Sequence, residues 1–271
     1  VRRIGRAVLG GTFDHLHIGH ESLLETAFRV SRTVAVGITS ERYLARHPKP
    51  DGAPLQSYAV RRRRLTTWLR RHHPHQPWKV VALDDPFGGS VAPGVDGLVV
   101  SADTVGGGRA VNVERRRRGL PPIPIAVVPL ALADDLAPVA SRRIRAGTID
   151  RNGRRRSPLR VEVRTTDPSD APTTKRAVRS AFPTAIVIVR PRGSPSRLAR
   201  SGRSRSGRRV PPVELSVEVE RAPDGGWSVT ERSSYVTLRP VRIGGSRPSD
   251  LTRGLRKALR PSLGSATTES F

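Results

Sequence analysis

The sequence predicts an α/β chain: a parallel sheet with helices on both faces, followed by a second, smaller α/β domain. Three observations carry this. Short apolar runs rich in Val and Ile alternate with helix-periodic segments from the N-terminus to about residue 153. A glycine turn at Gly10-Gly11 joins the first run to a segment headed by His17-Ile-Gly-His20. A basic, polar stretch at 151–160 then interrupts the pattern, which resumes at Val161. The expected domains are therefore 1–153 and 154–271.

Val8-Leu9 reads as the end of a buried strand, and Leu23, Leu24, Ala27 and Phe28 have helical spacing. His17 and His20 then share one face at a helix head, beside backbone N–H groups expected to be free for a phosphate. Imidazoles there can add donors to an anion and lower a barrier at developing charge. Thr33-Val-Ala-Val-Gly-Ile38 is the next strand. Ser57 is placed to cap a helix carrying Val60, Leu65, Trp68 and Leu69. Lys79–Leu83 and Gly97–Val100 are strands, Thr104–Arg118 is a helix ended by Gly119, and Pro124–Val128 is a further strand. Ser141–Ala146 is a last short helix. In such sheets ligands bind beyond the carboxyl ends of the strands, where the Gly10–His20 turn falls.

In the second domain, Arg160–Pro168 reads as strand and turn, Thr174–Phe182 as an amphipathic helix with Ala177, Val178, Ala181 and Phe182 on one face, and Ala185–Val189 as a strand. Glu214–Glu220 pairs with Trp227–Thr230 across Asp224-Gly225-Gly226.

Composition narrows the function classes. No run of 18 apolar residues marks a membrane span, and no hydrophobic leader stands at the N-terminus, so a cytoplasmic protein is expected. Without cysteine there are no disulfides or thiolate metal sites. The net charge of +26 invites a nucleic-acid partner. Against that, 45 of the 49 basic residues are arginine, a skew that fits compositional bias, and aromatics are too few, at 4%, for a base-stacking platform. His72, His73 and His75 lie among prolines with no cysteine nearby and read as a solvated loop rather than a metal site.

The stretch Gly10-Gly-Thr-Phe-Asp-His-Leu-His-Ile-Gly-His20 resembles the G-T-F-D-x-x-H-x-G-H signature of the nucleotidyltransferase superfamily. The rest of residues 6–153 narrows the resemblance. Thr39-Ser-Glu-Arg42, Leu55–Arg61, Val99-Val-Ser-Ala-Asp-Thr104, Asn112 and Arg115 before Gly119-Leu, and Ser141–Asp150 follow in the order of archaeal and eukaryotic phosphopantetheine adenylyltransferases. A Rossmann-like nucleotidyltransferase domain is implied, transferring the adenylyl group of ATP to 4'-phosphopantetheine, with Mg²⁺ accompanying the ATP. The resemblance implies catalytic roles for His17 and His20. It implies nucleotide binding by Gly11, Thr12, Phe13, Gly19, Ser141 and Arg145, and acceptor or phosphate contacts by Thr12, Lys49, Arg61 and Arg115. The family's Ser-Ser-Thr reads Ala140-Ser141-Arg142 here, so two of three hydroxyls are lost. Other members of the superfamily, cytidylyltransferases or FAD synthetases, share the opening signature but end in R-T-x-G-I-S-T-T, which Ala140–Asp150 does not match. A basic nucleic-acid-binding protein on a retired enzyme fold is the alternative of a different class.

The second domain faintly resembles the inosine/xanthosine triphosphatase family through Thr165, Thr166, Pro168, Lys175, Ala177, Val178, Ala181 and Phe182, with Asp167 in place of Asn. That resemblance makes Glu220 a possible metal ligand. Residues 190–212 hold no Asp or Glu where the family has a glutamate, and arginines 197, 200, 203 and 205 stand there instead, so a degenerate enzyme is implied.

Overall fold

The structure is a computed structural model; it describes residues 3–49, 54–191, 202–203, 209–210, 215–233 and 238–259. Two compact units emerge. The first comprises Val1–Ala131 and Val139–Gly153; the second takes Leu132–Pro138 together with the chain from Arg154 onward.

The first unit is built on five parallel strands in the order β3-β2-β1-β4-β5: β1 Ile4–Gly11, β2 Ser31–Thr39, β3 Trp78–Leu83, β4 Gly97–Ser101 and β5 Ile125–Val128. The order reverses between β1 and β4, which makes the end of β1 the switch point where ligands of such sheets bind. Central strands are buried on both faces, as Ala7, Val8 and Leu9 are here, so they read as continuous apolar runs rather than alternation. One face packs Ala7, Leu9, Val34, Val36 and Ile38 against helix α1 (Ile18–Val30) and helix α3 (Tyr58–His72). The other packs Val8, Leu98 and Val100 against Val111 of α4 (Val105–Arg117). A short helix α2 (Glu41–Arg46) follows β2, and α5 (Ser141–Arg145) closes the unit.

The sequence expectations for these elements hold to within two residues. Ser57 accepts a hydrogen bond from the Val60 amide and caps α3. Gly119, at φ +69, stops α4 in the left-handed conformation that L side chains avoid. Asn112 and Arg115 share one face of α4 and grip the return to β5. The Asn112 amide exchanges two 2.9 Å hydrogen bonds with the Ile123 backbone, and Arg115 donates to the carbonyls of Pro121, Ser90 and Ala92. The histidine cluster fits the expectation in part: His75 is exposed in the loop after α3, and His72 and His73 differ. His72 is the last residue of α3 and stacks on Trp68, and His73 stacks on Phe28 at 3.7 Å. Planar rings at the helix end cover apolar neighbours, which a solvated loop would leave exposed.

The second unit holds a mixed sheet, ordered β12-β11-β10-β6-β7, from β6 Arg160–Thr165, β7 Ile186–Pro191, β10 Leu215–Arg221, β11 Trp227–Arg232 and β12 Val241–Ile243. A two-residue pair, β8 Gly202–Arg203 with β9 Arg209–Val210, stands apart from it. Strand β6 runs parallel to β7 and β10, and β10–β11 form the expected hairpin with Gly225 at φ +81. Val161, Val163, Val217, Val219 and Trp227 face α6 (Ala171–Ala181) and α7 (Pro248–Ala258), which supplies Leu251 and Leu255. Strand β12 and helix α7 are not anticipated in the sequence reading. Buried Asp170 takes hydrogen bonds from Trp227 Nε1 and Arg221. The Arg221 guanidinium lies 4.5 Å from the centre of the Trp227 ring.

The first turn of α4 contains Gly106 and Gly107, both exposed, where an added methyl would meet nothing within 4 Å. Glycine costs helix stability that no packing recovers here. Gly106→Ala and Gly107→Ala are each expected to stabilise the first unit by about 0.5–1 kcal/mol. A thermal melt of the variants checks this; an unchanged or lowered midpoint would mean those backbones serve a purpose other than stability.

Candidate functional site

The site forms at the carboxyl end of β1, where the chain leaves Gly11 and turns into α1. Two non-glycine residues in that turn are left-handed, Phe13 at φ 52 and His15 at φ 44. Such conformations are sparsely populated and persist only when their surroundings impose them. Phe13 is fully buried in the core under β1. Asp14, 1% exposed, is the hub of the turn. Its carboxylate is ion-paired with Arg145 and accepts the Gln56 amide at 3.0 Å, and its backbone carbonyl accepts the Ser141 hydroxyl. The Gln56 side chain accepts the His15 amide at 3.2 Å.

His17 caps α1. Its Nδ1 accepts the Gly19 amide at 3.1 Å, so in the neutral ring the proton sits on Nε2, a donor. Gly19 suits this position because a Cβ would crowd the His17 ring at 3.1 Å. His20 stacks on His17 with ring centres 3.9 Å apart, and its Nδ1 is buried without a hydrogen-bond partner. Burial pushes both imidazoles down, His17 to about 4 and His20 to about 3; Asp14 partly offsets the effect at His17, and His17 deepens it at His20. Both rings are neutral at pH 7.

The free amides expected at the head of α1 are a correction. Ile18 donates to the Arg151 carbonyl, Gly19 to His17 Nδ1, and His20 and Glu21 to the His17 carbonyl. The His17 ring closes the Gly19 amide and backbone carbonyls close the other three, so imidazoles rather than backbone groups are what this helix offers an anion.

Arg61 is wholly buried. Nη1 donates to the carbonyls of Thr12 and Thr39 at 2.8 and 2.9 Å, Nε donates to the Gln56 carbonyl, and only Nη2 lacks a partner. It ties β1, β2 and the entry to α3 together, with one N–H pair left over. Arg115 is the second correction. At 2% exposure, with its guanidinium on three backbone carbonyls, it braces α4 rather than facing a triphosphate. Ser141 and Arg145 meet the turn through Asp14. Thr12 is half-buried beside them, and Lys49 is exposed after α2. Asp14 and Gln56 are the residues that sequence reasoning left without a role. Asp14 stood inside the quoted signature and Gln56 inside the quoted Leu55–Arg61 stretch, but neither was given a role there.

In the second unit, Glu220 lies on β10 opposite Ser228, and among the described residues no group of three His, Asp or Glu side chains could hold a metal. Glu162, on the same sheet face, is fully buried and pairs with Arg190 at 2.9 Å. Asp167 Oδ1 caps the Ser169 amide, and those hydrogen bonds hold its carboxylate below the usual range, so the turn carries a fixed negative charge. Arginines 197, 200 and 205 and Glu214 lie outside the described residues, and of Arg203 only the backbone is described.

This parallel sheet, with its switch-point turn and paired histidines, defines a nucleotidyltransferase. The cytidylyltransferase-like family matches residues 8–145, and the chain belongs to it. Within that family its first half is of the phosphopantetheine adenylyltransferase type. It is 37% identical over 153 residues to the phosphopantetheine adenylyltransferase of Methanothermobacter thermautotrophicus, covering 56% of this chain and 90% of that one. The enzyme of the same name from Methanosarcina mazei is 34% identical over 152 residues, 55% of this chain and 96% of the relative. The bifunctional phosphopantetheine adenylyltransferase/NTP phosphatase of Thermoplasma acidophilum is 35% identical over 173 residues, 64% of this chain and 51% of the relative. No helix among the described residues is long and apolar enough to cross a membrane.

The depressed histidines make a testable statement about pH. In the unfolded chain they titrate near 6.5; in the fold they stay neutral down to about 4 and about 3. Their contribution to stability is therefore full above pH 6.5 and is lost as the pH falls toward the folded values. Ring C–H resonances of His17 and His20 in a proton NMR titration should hold their neutral positions from pH 8 to pH 5. An inflection near pH 6.5 would show the rings to be solvated.

Proposed function

We propose that this chain transfers the adenylyl group of ATP to the phosphate of 4'-phosphopantetheine, giving dephospho-coenzyme A and pyrophosphate. The observation that carries the reading is the stacked, neutral His17–His20 pair beside Thr12 at the switch point of the sheet. The named activity of the M. thermautotrophicus relative supports it.

An acceptor phosphate oxygen attacks the α-phosphorus in line, a new P–O bond forms, and the α–β bridging bond breaks to release pyrophosphate. The protein's work is positioning and charge stabilisation. His17 Nε2–H and the His20 ring donate to the triphosphate, and His20 meets the charge that develops at the α-phosphate. The Thr12 hydroxyl takes the acceptor phosphate, with Lys49 reaching it from the loop side, while buried Arg61 positions Thr12 through its carbonyl. Gly11, Phe13 and Gly19 shape the turn against the nucleotide, and Ser141 and Arg145 secure it through Asp14. Asp14 is committed to Arg145 and Gln56. Mg²⁺ would accompany ATP as part of the substrate and would supply charge neutralisation on its phosphates.

Pyrophosphate release measured over a panel of acceptors and nucleoside triphosphates tests the proposal. Release with ATP and 4'-phosphopantetheine is expected, and none with CTP or FMN. His20→Ala should lower kcat on the order of a hundredfold, with a smaller change in the KM for ATP. Release with CTP or FMN alone would replace the reading with another transferase. Wild-type turnover in His20→Ala would remove that residue from the mechanism.

For the second unit, weak triphosphate binding without hydrolysis is expected: the anionic Asp167 in the turn opposes a polyanion. The full chain is expected to hydrolyse inosine and xanthosine triphosphates no faster than its Glu220→Gln variant. Metal-dependent hydrolysis abolished by that substitution would make the unit a working phosphatase.

A further inference from the structure

We propose that Gln56 is the positioning residue of this site: its side-chain carbonyl fixes the left-handed turn that aims His17 and His20. The proposal rests on the adenylyl-transfer reading above. Phe13 and His15, on either side of Asp14, are left-handed, and His15 lies between β1 and α1, outside the hydrogen-bond ladders of both. Gln56 Oε1 accepts the His15 amide at 3.2 Å. The Gln56 backbone N–H donates to Asp14 Oδ1 at 3.0 Å, and its backbone carbonyl accepts Arg61 Nε at 2.9 Å. Arg61 Nη1 in turn holds the Thr12 carbonyl at 2.8 Å. The Gln56–Arg61 pair thus grips the turn at residues 12, 14 and 15, immediately before the His17 cap.

Of the three Gln56 contacts, only the one through the side chain can be removed by substitution. Gln56→Leu keeps the volume and leaves the His15 N–H unpaired. Gln56→Glu keeps an acceptor of the same reach. Histidines act here by orientation, so a loosened turn should affect kcat more than the KM for ATP. Misplacement of reacting groups by an ångström is enough to cost about a hundredfold.

The test compares the full-length wild type, Gln56→Leu and Gln56→Glu by pyrophosphate release with ATP and 4'-phosphopantetheine, and by NMR of the His17 and His20 ring protons. Gln56→Leu is expected to lower kcat about ten- to a hundredfold, leave the KM for ATP within about threefold, and shift both ring signals. Gln56→Glu is expected to keep the wild-type ring signals and turnover within about threefold. A Gln56→Leu protein with wild-type kcat and ring signals overturns the proposal, as does a Gln56→Glu protein that falls as far as Gln56→Leu. If Gln56→Leu does not fold, Gln56→Glu decides by the same two readouts. If the wild type releases no pyrophosphate with any acceptor, it is the adenylyl-transfer reading that fails, and the ring signals of the two variants alone decide the role of Gln56.

Discussion

Everything at the switch point depends on one buried carboxylate. Asp14 lies between two residues held in a backbone conformation they would not adopt alone. An unpaired carboxylate at 1% exposure would be prohibitive, and here it is met by the Arg145 guanidinium and a backbone amide. The same contacts fix where β1 ends and how α1 begins. The histidines inherit that geometry: His17 is set by its own cap, and His20 by the ring it stacks on. The desolvation that keeps both rings neutral follows from how tightly the turn is drawn in.

The arginines of this chain form two populations that composition cannot separate. One is internal. Arg61 and Arg115 are buried and donate to three backbone carbonyls each, Arg145 and Arg155 pair with Asp14 and Asp135, and half-buried Arg190 pairs with Glu162. A planar five-donor group suits this bracing, which a lysine could not reproduce. The other is external, such as Arg62, Arg63, Arg64, Arg70 and Arg71 on the outer face of α3. The net charge therefore overstates how much positive potential any ligand meets. A run such as 115–118 mixes both kinds, with Arg115 inside and its three neighbours outside.

The fold was legible wherever burial imposed a period. The central strands β1, β2 and β4 of the first sheet read as apolar runs because both faces are covered, and α1 and α3 show their stripes because one face is. The glycine-histidine turn was legible because few residue types tolerate that geometry, as the Gly19–His17 contact illustrates. Side-chain destinations were not. Arg61 and Arg115 looked alike as candidates for phosphate, yet each is committed to carbonyls supplied by distant loops. Ser141 and Arg145 reach the site through Asp14, more than 120 residues earlier. The closing of the α1 amides depends on a ring rotamer of His17 for Gly19 and on the distant Arg151 carbonyl for Ile18, which no spacing encodes. Strand β12 is three residues long, too short for periodicity to register.

The brief passage of Leu132–Pro138 into the second unit alters what kind of object this chain is. The segment closes on itself with the Leu132–Pro138 bridge and the Ala133–Ala137 backbone hydrogen bond, and it buries Ala133, Asp135 and Ala137. Asp134 and Asp135 take the backbone and side chain of Arg155, which lies past the end of the first unit. The polypeptide thus visits the second unit, goes back to build α5, and only then departs for good. Two modules strung end to end could be parted by a single cut or exchanged whole between genes. Here any cut between residues 138 and 154 strands a loop that carries two acids and has lost its arginine. The halves are interlaced along the chain, and during synthesis the 132–138 segment of the second unit leaves the ribosome before α5 of the first and waits for Arg155 to complete its contacts.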